Sequence, residues 1–149
     1  DQQDHQGRTA ATTNHVEVVS VLLDQGYDVN SQDKEGMTPL SYASGNGNED
    51  IVKVLLARVE DVEADSKDRW GRTPLSYRAE NGNEDIVKLL LAGDDMNVNW
   101  RHDHGRILLF KAAKNGHDLR EAVVSIFLAC SDLLVNLKDD NGLTPLVLA

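Results

Sequence analysis

The chain has 149 residues, 40% hydrophobic and 5% aromatic, and its 25 Asp and Glu outweigh 15 Lys and Arg to give a formal net charge of −10. That shortage of cations argues against partners held by phosphate neutralisation, so neither a nucleic acid nor a polybasic membrane contact is expected. No run of about 18 apolar residues could span a bilayer; Asp1 to Gln6 has neither the basic start nor the apolar run of a signal peptide; and the single cysteine, Cys130, rules out an intrachain disulfide.

Taken in order, residues 1–30 hold a shortened unit. Gly7-Arg8-Thr9 opens it and His15 follows after eight steps, where Gly36 to Asn48 takes 12. A first helix of one turn or none is expected there, then an intact helix from Val16 to Asp24 with Val16, Val18, Val19, Val21, Leu22 and Leu23 as its apolar stripe. A second unit runs from about residue 33 to 58. An acidic loop, Val59 to Asp65, leads to a third unit at residues 68–92.

The third unit is the clearest. Thr73 is a good helix N-cap, and Pro74 takes the first helical position, where its missing N–H costs nothing. Gly82 ends that helix because glycine reaches left-handed φ without a Cβ penalty. Asn83 caps the next helix, and Glu84 and Asp85 put negative charge at the positive end of its dipole. Ile86, Val87, Leu89, Leu90 and Leu91 make a stripe too wide for one partner. A fourth unit at residues 102–131 replaces Thr-Pro-Leu with Ile107-Leu108-Leu109, so it loses the cap and the proline. Its second helix carries three extra residues, nearly one turn. A fifth, partial unit at residues 139–149 leaves Leu143, Leu146, Val147 and Leu148 without a covering helix. The chain therefore reads as a piece of a longer stack or a truncated product.

The opening glycines recur at Gly36, Gly71, Gly105 and Gly142, spaced by 35, 34 and 37 residues. Thr38-Pro39-Leu40, Thr73-Pro74-Leu75 and Thr144-Pro145-Leu146 recur with them, as do Asp28-Val29-Asn30, Val98-Asn99, Val135-Asn136 and Gly116-His117. This pattern resembles the ankyrin repeat family, whose unit is a β-turn plus two helices with a T-P-L-H-x-A signature and a period of about 33. The resemblance covers nearly the whole chain as one domain, and the wording of units two and three resembles long ankyrin arrays of filamentous fungi. It implies an all-α solenoid of helix–turn–helix units joined by hairpin loops. One departure stands out: Arg78 occupies the position of Ala43 and Ala112. It should snorkel or push its neighbours apart, so Arg78→Ala is expected to stabilise the stack or leave it unchanged.

No catalytic set is present, so no enzyme and no cofactor are expected. His102 and His104 flank Asp103 but have no third ligand at a fixed spacing, so no metal site is expected. Cys130 ends an apolar helix and reads as an inert thiol. His15 and His117 stand where ankyrin units carry a histidine that caps a helix. No glycine run has the G-K-[ST] ending of a phosphate cradle. The lone cysteine fits a reducing intracellular compartment, the cytoplasm before the nucleus.

What remains is protein–protein recognition. In the proteins this chain resembles, partners are gripped by hairpin tips and by the inner face of the first helices. By position, those sites are Lys34, Glu35 and Met37, with Gln32 beside them; Lys67, Arg69, Trp70, Arg72, Glu80 and Asn81; and Arg101, Asp103, His104, Arg106, Lys114 and Asn115. The tips around Trp70 and Trp100 carry more cations than carboxylates on an otherwise acidic chain. An exposed Trp among arginines has the composition of a hot spot. The expected partner is a protein segment rich in Asp or Glu with an apolar anchor. Two alternatives stand beside this reading: a partner-sensing arm of a larger enzyme or nucleotide-binding signalling protein, and a spacer with no dedicated partner.

Overall fold

The computed structural model describes residues 14–58, 60–93, 96–101, 106–113 and 118–148. Among them lie eight helices: α1 Val16–Asp24, α2 Pro39–Asn46, α3 Glu49–Leu56, α4 Pro74–Asn81, α5 Glu84–Leu91, α6 Leu108–Ala113, α7 Asp118–Leu128 and α8 Pro145–Leu148. The remnant of a first helix expected before residue 14 falls outside the described residues. Helices α2 and α3, α4 and α5, and α6 and α7 pair as helical hairpins. The first members stack in one row, α2 on α4 on α6 on α8, and the second members in another, α1 on α3 on α5 on α7. The result is an all-α solenoid of two layers.

Capping fixes the ends of the first helices. Thr38 and Thr73 accept from the backbone N–H of Ser41 and Ser76 at 3.1 and 3.3 Å. The Ser76 hydroxyl oxygen in turn accepts from the Thr73 N–H at 2.9 Å, which completes a capping box. Such caps are worth about 1 kcal/mol each. Gly47 and Gly82 close the helices in the left-handed region, at φ 80° and 75°. Asn83 caps α5 by accepting from the Ile86 N–H at 3.0 Å. His15 departs from expectation: it sits at the N-cap of α1, but its side chain makes no cap hydrogen bond. His117 lies outside the described residues. Helix α7 has 11 residues against eight in α3 and α5, the extra turn read from the sequence.

Between the rows lies one apolar core. Leu40, Ile51, Val52, Leu55, Leu75, Ile86, Val87 and Leu90 are buried, and the Thr-Pro-Leu start missing from α6 is replaced by buried Ile107, Leu108, Leu109 and Phe110. Each such side chain contributes roughly 1.5–3 kcal/mol on burial. Leu146 and Val147 on α8 are exposed, and Leu143 before it is half-buried.

Arg78 corrects the sequence expectation. It does not reach water, being only 6% exposed. Its Nη2 donates to the Gly45 carbonyl at the end of α2, 2.9 Å away, where the helix dipole is negative. Room comes from glycine: a Cβ on Gly47 would lie 3.0 Å from Arg78 Nη1. Two costs remain, since Arg78 Nε and the hydroxyl of Ser44, next to Gly45 in the preceding unit, are buried without partners among the described residues. A hydrogen bond from a charged donor is worth about 1.5–3 kcal/mol and a buried unpaired donor costs about 1–3 kcal/mol, so the two are of the same order and the packing of the buried side chain decides the balance.

Asparagines tie consecutive units together. Asn99 Nδ2 donates to the Asp132 carbonyl at 2.6 Å, and its Oδ1 accepts from the Leu134 N–H at 2.8 Å. Asn30 repeats this two units earlier in the stack, donating to the Asp61 carbonyl and accepting from the Glu63 N–H at 2.8 Å. Asp65 holds the corresponding place between them and, as an acceptor, receives the Asn97 N–H at 3.2 Å.

Two outcomes follow for stability. Arg78→Ala removes a buried side chain and a charge-assisted cap, so it should lower stability by about 1–3 kcal/mol in urea unfolding; an unchanged or raised midpoint would restore the crowding account. Asn99→Ala should lower the unfolding free energy by about 1 kcal/mol, seen as a lower urea midpoint with the denaturant slope unchanged; no change would show that the loop after α7 is held by other contacts.

Candidate functional site

The hairpin at residues 68–72 carries the most distinctive surface. Its geometry is set by one carboxylate. Asp68 N–H donates to the Arg72 carbonyl at 3.0 Å, and Gly71 N–H donates back to the Asp68 carbonyl at 2.9 Å. The Asp68 side chain lies beneath this turn with no exposed surface. Oδ1 accepts from the Trp70 and Arg72 N–H groups, each at 2.9 Å. Oδ2 accepts from Arg72 Nε at 2.9 Å and from the Tyr77 hydroxyl of α4 at 2.6 Å. Burial pushes this carboxyl up, but the Tyr77 hydroxyl, the two N–H groups and Arg72 outweigh burial and hold it below its ordinary value. Burial and the Asp68 charge push the Tyr77 phenol well above its ordinary range, so it remains a donor.

Above this turn Trp70 is 42% exposed. The Arg69 and Arg72 guanidinium carbons lie 4.2 and 4.5 Å from its ring centroid. Each such cation–π contact contributes about 0.5–1 kcal/mol at an exposed site. Arg72 is therefore doubly tied, to Asp68 below and to Trp70 above. Trp70 packs within its own hairpin. Trp100 is the tryptophan that bridges: its Nε1–H donates to the Gly71 carbonyl at 3.0 Å, and Lys67 Nζ stands 3.2 Å from its ring centroid. The preceding hairpin is joined on the other side. Arg69 N–H donates to the Glu35 carbonyl at 2.8 Å, and Arg69 Nη1 lies 3.8 Å from the Glu35 carboxylate. Gly36 permits this approach: its φ is 78°, and a Cβ there would sit 3.1 Å from Asp68 Cα.

The other sequence candidates divide. Lys34, Asn81 and Arg101 are exposed. Met37 is half-buried, with Sδ 3.0 Å from the Tyr77 hydroxyl. Glu80 accepts from Lys111 Nζ at 2.7 Å, joining α4 to α6. Arg106 is not a free rim charge: its Nε donates at 3.2 Å to Asp139, whose side chain is fully covered. Asp103, His104, Lys114 and Asn115 lie outside the described residues.

The aspartates at the hairpin turns do not stand out in the sequence, although Asp68 and Asp139 are buried and Asp33 is half-buried. Asp139 accepts the Asn141 and Leu143 N–H groups at 2.9 Å. Asp33 accepts the Glu35 and Met37 N–H groups at 2.9 Å and the Tyr42 hydroxyl at 2.6 Å. The signal was available: Asp33, Asp68 and Asp139 each stand three before an opening glycine, and Asp33 and Asp68 each stand nine before a tyrosine.

The remaining chemistry is sparse. Among the described residues no group of three or more His, Cys, Asp or Glu could hold a metal ion, and no helix is long and apolar enough to cross a membrane. Cys130 is half-buried, and burial pushes its thiol up, away from the reactive thiolate.

Comparison with known proteins agrees with the geometry. Residues 8–100 and 59–138 match the family described as ankyrin repeats (3 copies). The chain is similar to ankyrin repeat protein FPV223 of Fowlpox virus (strain NVSL), 47% identical over 49 residues, 33% of this chain and 35% of that one. It is also similar to protein phosphatase 1 regulatory subunit 12A of Mus musculus, 39% identical over 54 residues, 36% of this chain and 5% of the subunit. A third relative is potassium channel AKT1 of Arabidopsis thaliana, 49% identical over 43 residues, 29% of this chain and 5% of the channel. The chain thus spans about a third of the viral relative, 35%, and a small fraction of the other two, 5% each. With capped helix pairs, aspartate-centred turns and a matching family over more than half its length, this chain belongs to the ankyrin repeat family.

Proposed function

We propose that this chain recognises another protein through the ledge formed by its hairpin tips, without chemistry of its own. One observation carries the reading: Trp70, exposed, has two guanidinium groups against its ring, on a turn closed by hydrogen bonds to a buried carboxylate. A large aromatic side chain already fixed in place loses little entropy on binding, which is what a hot spot requires. The contact residues proposed are Lys67, Arg69, Trp70 and Arg101 at the centre, with Lys34, Glu35 and Asn81 at the margins. Arg72 and Arg106 act through the turns they hold. The partner is a segment rich in Asp or Glu with one apolar anchor, matched to the cations of the ledge. The short shares of the phosphatase subunit and the channel covered by this chain support a second reading, in which the same ledge serves a larger protein as its partner-sensing arm.

The test uses short fluorescent peptides with acidic flanks around a single Leu or Phe, and circular dichroism as the folding control. Trp70→Ala should weaken binding by about 2 kcal/mol or more. Arg69→Ala should mainly slow association and flatten its salt dependence. Arg106→Ala should instead lower the thermal midpoint, because it uncovers the buried Asp139 carboxylate. Unchanged affinity in Trp70→Ala would place the binding surface elsewhere.

A further inference from the structure

A second surface lies on the other layer of the stack, away from the hairpin turns. Between the C-terminal ends of α3 and α5, under the loop at residues 60–66, runs a half-open groove of about 780 Å³. Clefts of roughly 300–1,000 Å³ are the usual size for bound ligands. Its floor and walls are apolar: Leu56, Val62, Ala64, Leu89, Leu90 and Met96. Of these only Leu90 is fully buried, so the others present half-covered apolar surface.

The loop over the groove belongs to a link slightly longer than the family unit. Gly36 and Gly71 are 35 residues apart, against a family period of about 33. Asn30 pins this longer loop from below through the Asp61 carbonyl and the Glu63 N–H. Asp65 pins it from the other side through the Asn97 N–H.

Its rim is acidic. Glu63 and Asp65 line the groove, and Glu60 and Asp61 stand exposed on the loop above it. The lining cation is Lys53, and its charge is already committed to Glu49 at 2.6 Å and Asp50 at 3.7 Å. Arg58, at the start of the loop, is paired with Asp24 at 2.5 Å. The field over the groove is therefore negative, and it is opposite in sign to that of the Trp70 ledge.

We infer that this groove docks a peptide segment of a partner protein, with one apolar anchor side chain in the Leu56–Leu89–Met96 trough and Lys or Arg flanks against Glu60, Asp61, Glu63 and Asp65. Apolar burial would hold the anchor, and the four carboxylates would select the flanks and steer the encounter. The site is independent of the hairpin ledge and takes ligands of the opposite charge.

The experiment measures fluorescence anisotropy of three labelled peptide pools with the same Leu or Phe anchor, one with Lys and Arg flanks, one with Asp and Glu flanks and one with uncharged Ser and Gly flanks. Ala57→Arg combined with Ala92→Arg plugs the mouth of the groove. Both alanines are exposed C-cap residues, where a cation suits the helix dipole, so the fold is kept. The basic pool should bind, lose roughly ten-fold or more in affinity with this double variant and with Glu60→Lys combined with Asp61→Lys, and be unaffected by Trp70→Ala. Failure of the basic pool to bind above the acidic pool, or binding that survives the double arginine variant, overturns the proposal. Two further results do the same: equal binding by an uncharged-flank pool, which points to an apolar small molecule, and self-association abolished by the double variant, which points to a second copy of this chain. None of these outcomes bears on the acidic-peptide test of the Trp70 ledge.

Discussion

The Asp68 carboxylate is the constraint on which the rest of the central unit depends. It is a buried charge, and an isolated one would cost several kcal/mol in lost hydration. Four donors offset that cost: the Trp70 and Arg72 N–H groups, Arg72 Nε and the Tyr77 hydroxyl. Two of them close the turn, one orients the guanidinium that stacks on Trp70, and one reaches into α4. A single group thereby fixes the turn, the arginine, the tryptophan and the first helix relative to one another. Asp33 repeats the arrangement with Tyr42, and Asp139 repeats it with Arg106, which comes from the preceding hairpin. Electrostatics of this kind set the tips in place, while the apolar rows between the helix layers supply most of the stability.

Contacts between units follow the same economy. Each joins neighbouring units, as expected when a repeat touches only its neighbours, and the asparagine contacts recur along the stack. Glycine opens the way for two of them. Gly36 lets the Arg69 backbone approach the Glu35 carbonyl, and Gly47 makes room for the Arg78 head. The asparagines Asn30 and Asn99 then fasten the loops on the far side. The two surfaces that result differ in sign. The hairpin side presents a tryptophan among cations, and the side under the loop at residues 60–66 presents an apolar trough rimmed by carboxylates.

Much of the fold was legible because the repeat puts the same physical demand on the same residue types several times. Thr73, Pro74 and Gly82 announce a helix start and stop with unambiguous chemistry, and the longer α7 could be counted directly. The site was legible in part. Trp70 reads as exposed because a hairpin tip has nothing above it, but the partners of its neighbours do not follow from their spacing. Arg72 and Arg106 read as free cations, yet each is bound to a covered carboxylate. Aspartate at a turn looks like a solvated residue until the tyrosine nine positions later is brought over it. Arg78 misled for a related reason. Its crowding was inferred from its own unit, whereas the space and the acceptor come from Gly45 and Gly47 of the preceding one.

The central claim is tested most directly by thermal midpoints of the parent and of Asp68→Asn measured across acid pH. Asparagine keeps the shape and one acceptor but carries no charge. Because the native Asp68 pKa is lowered, its contribution is fully present above the unfolded value of about 3.9 and is lost as pH falls through the native value. Near neutral pH the variant should melt well below the parent. The gap should narrow as the pH drops below about 4 and close once Asp68 is protonated in the native state. A gap that stays constant over that range, or no gap at neutral pH, would contradict the role assigned to this carboxylate.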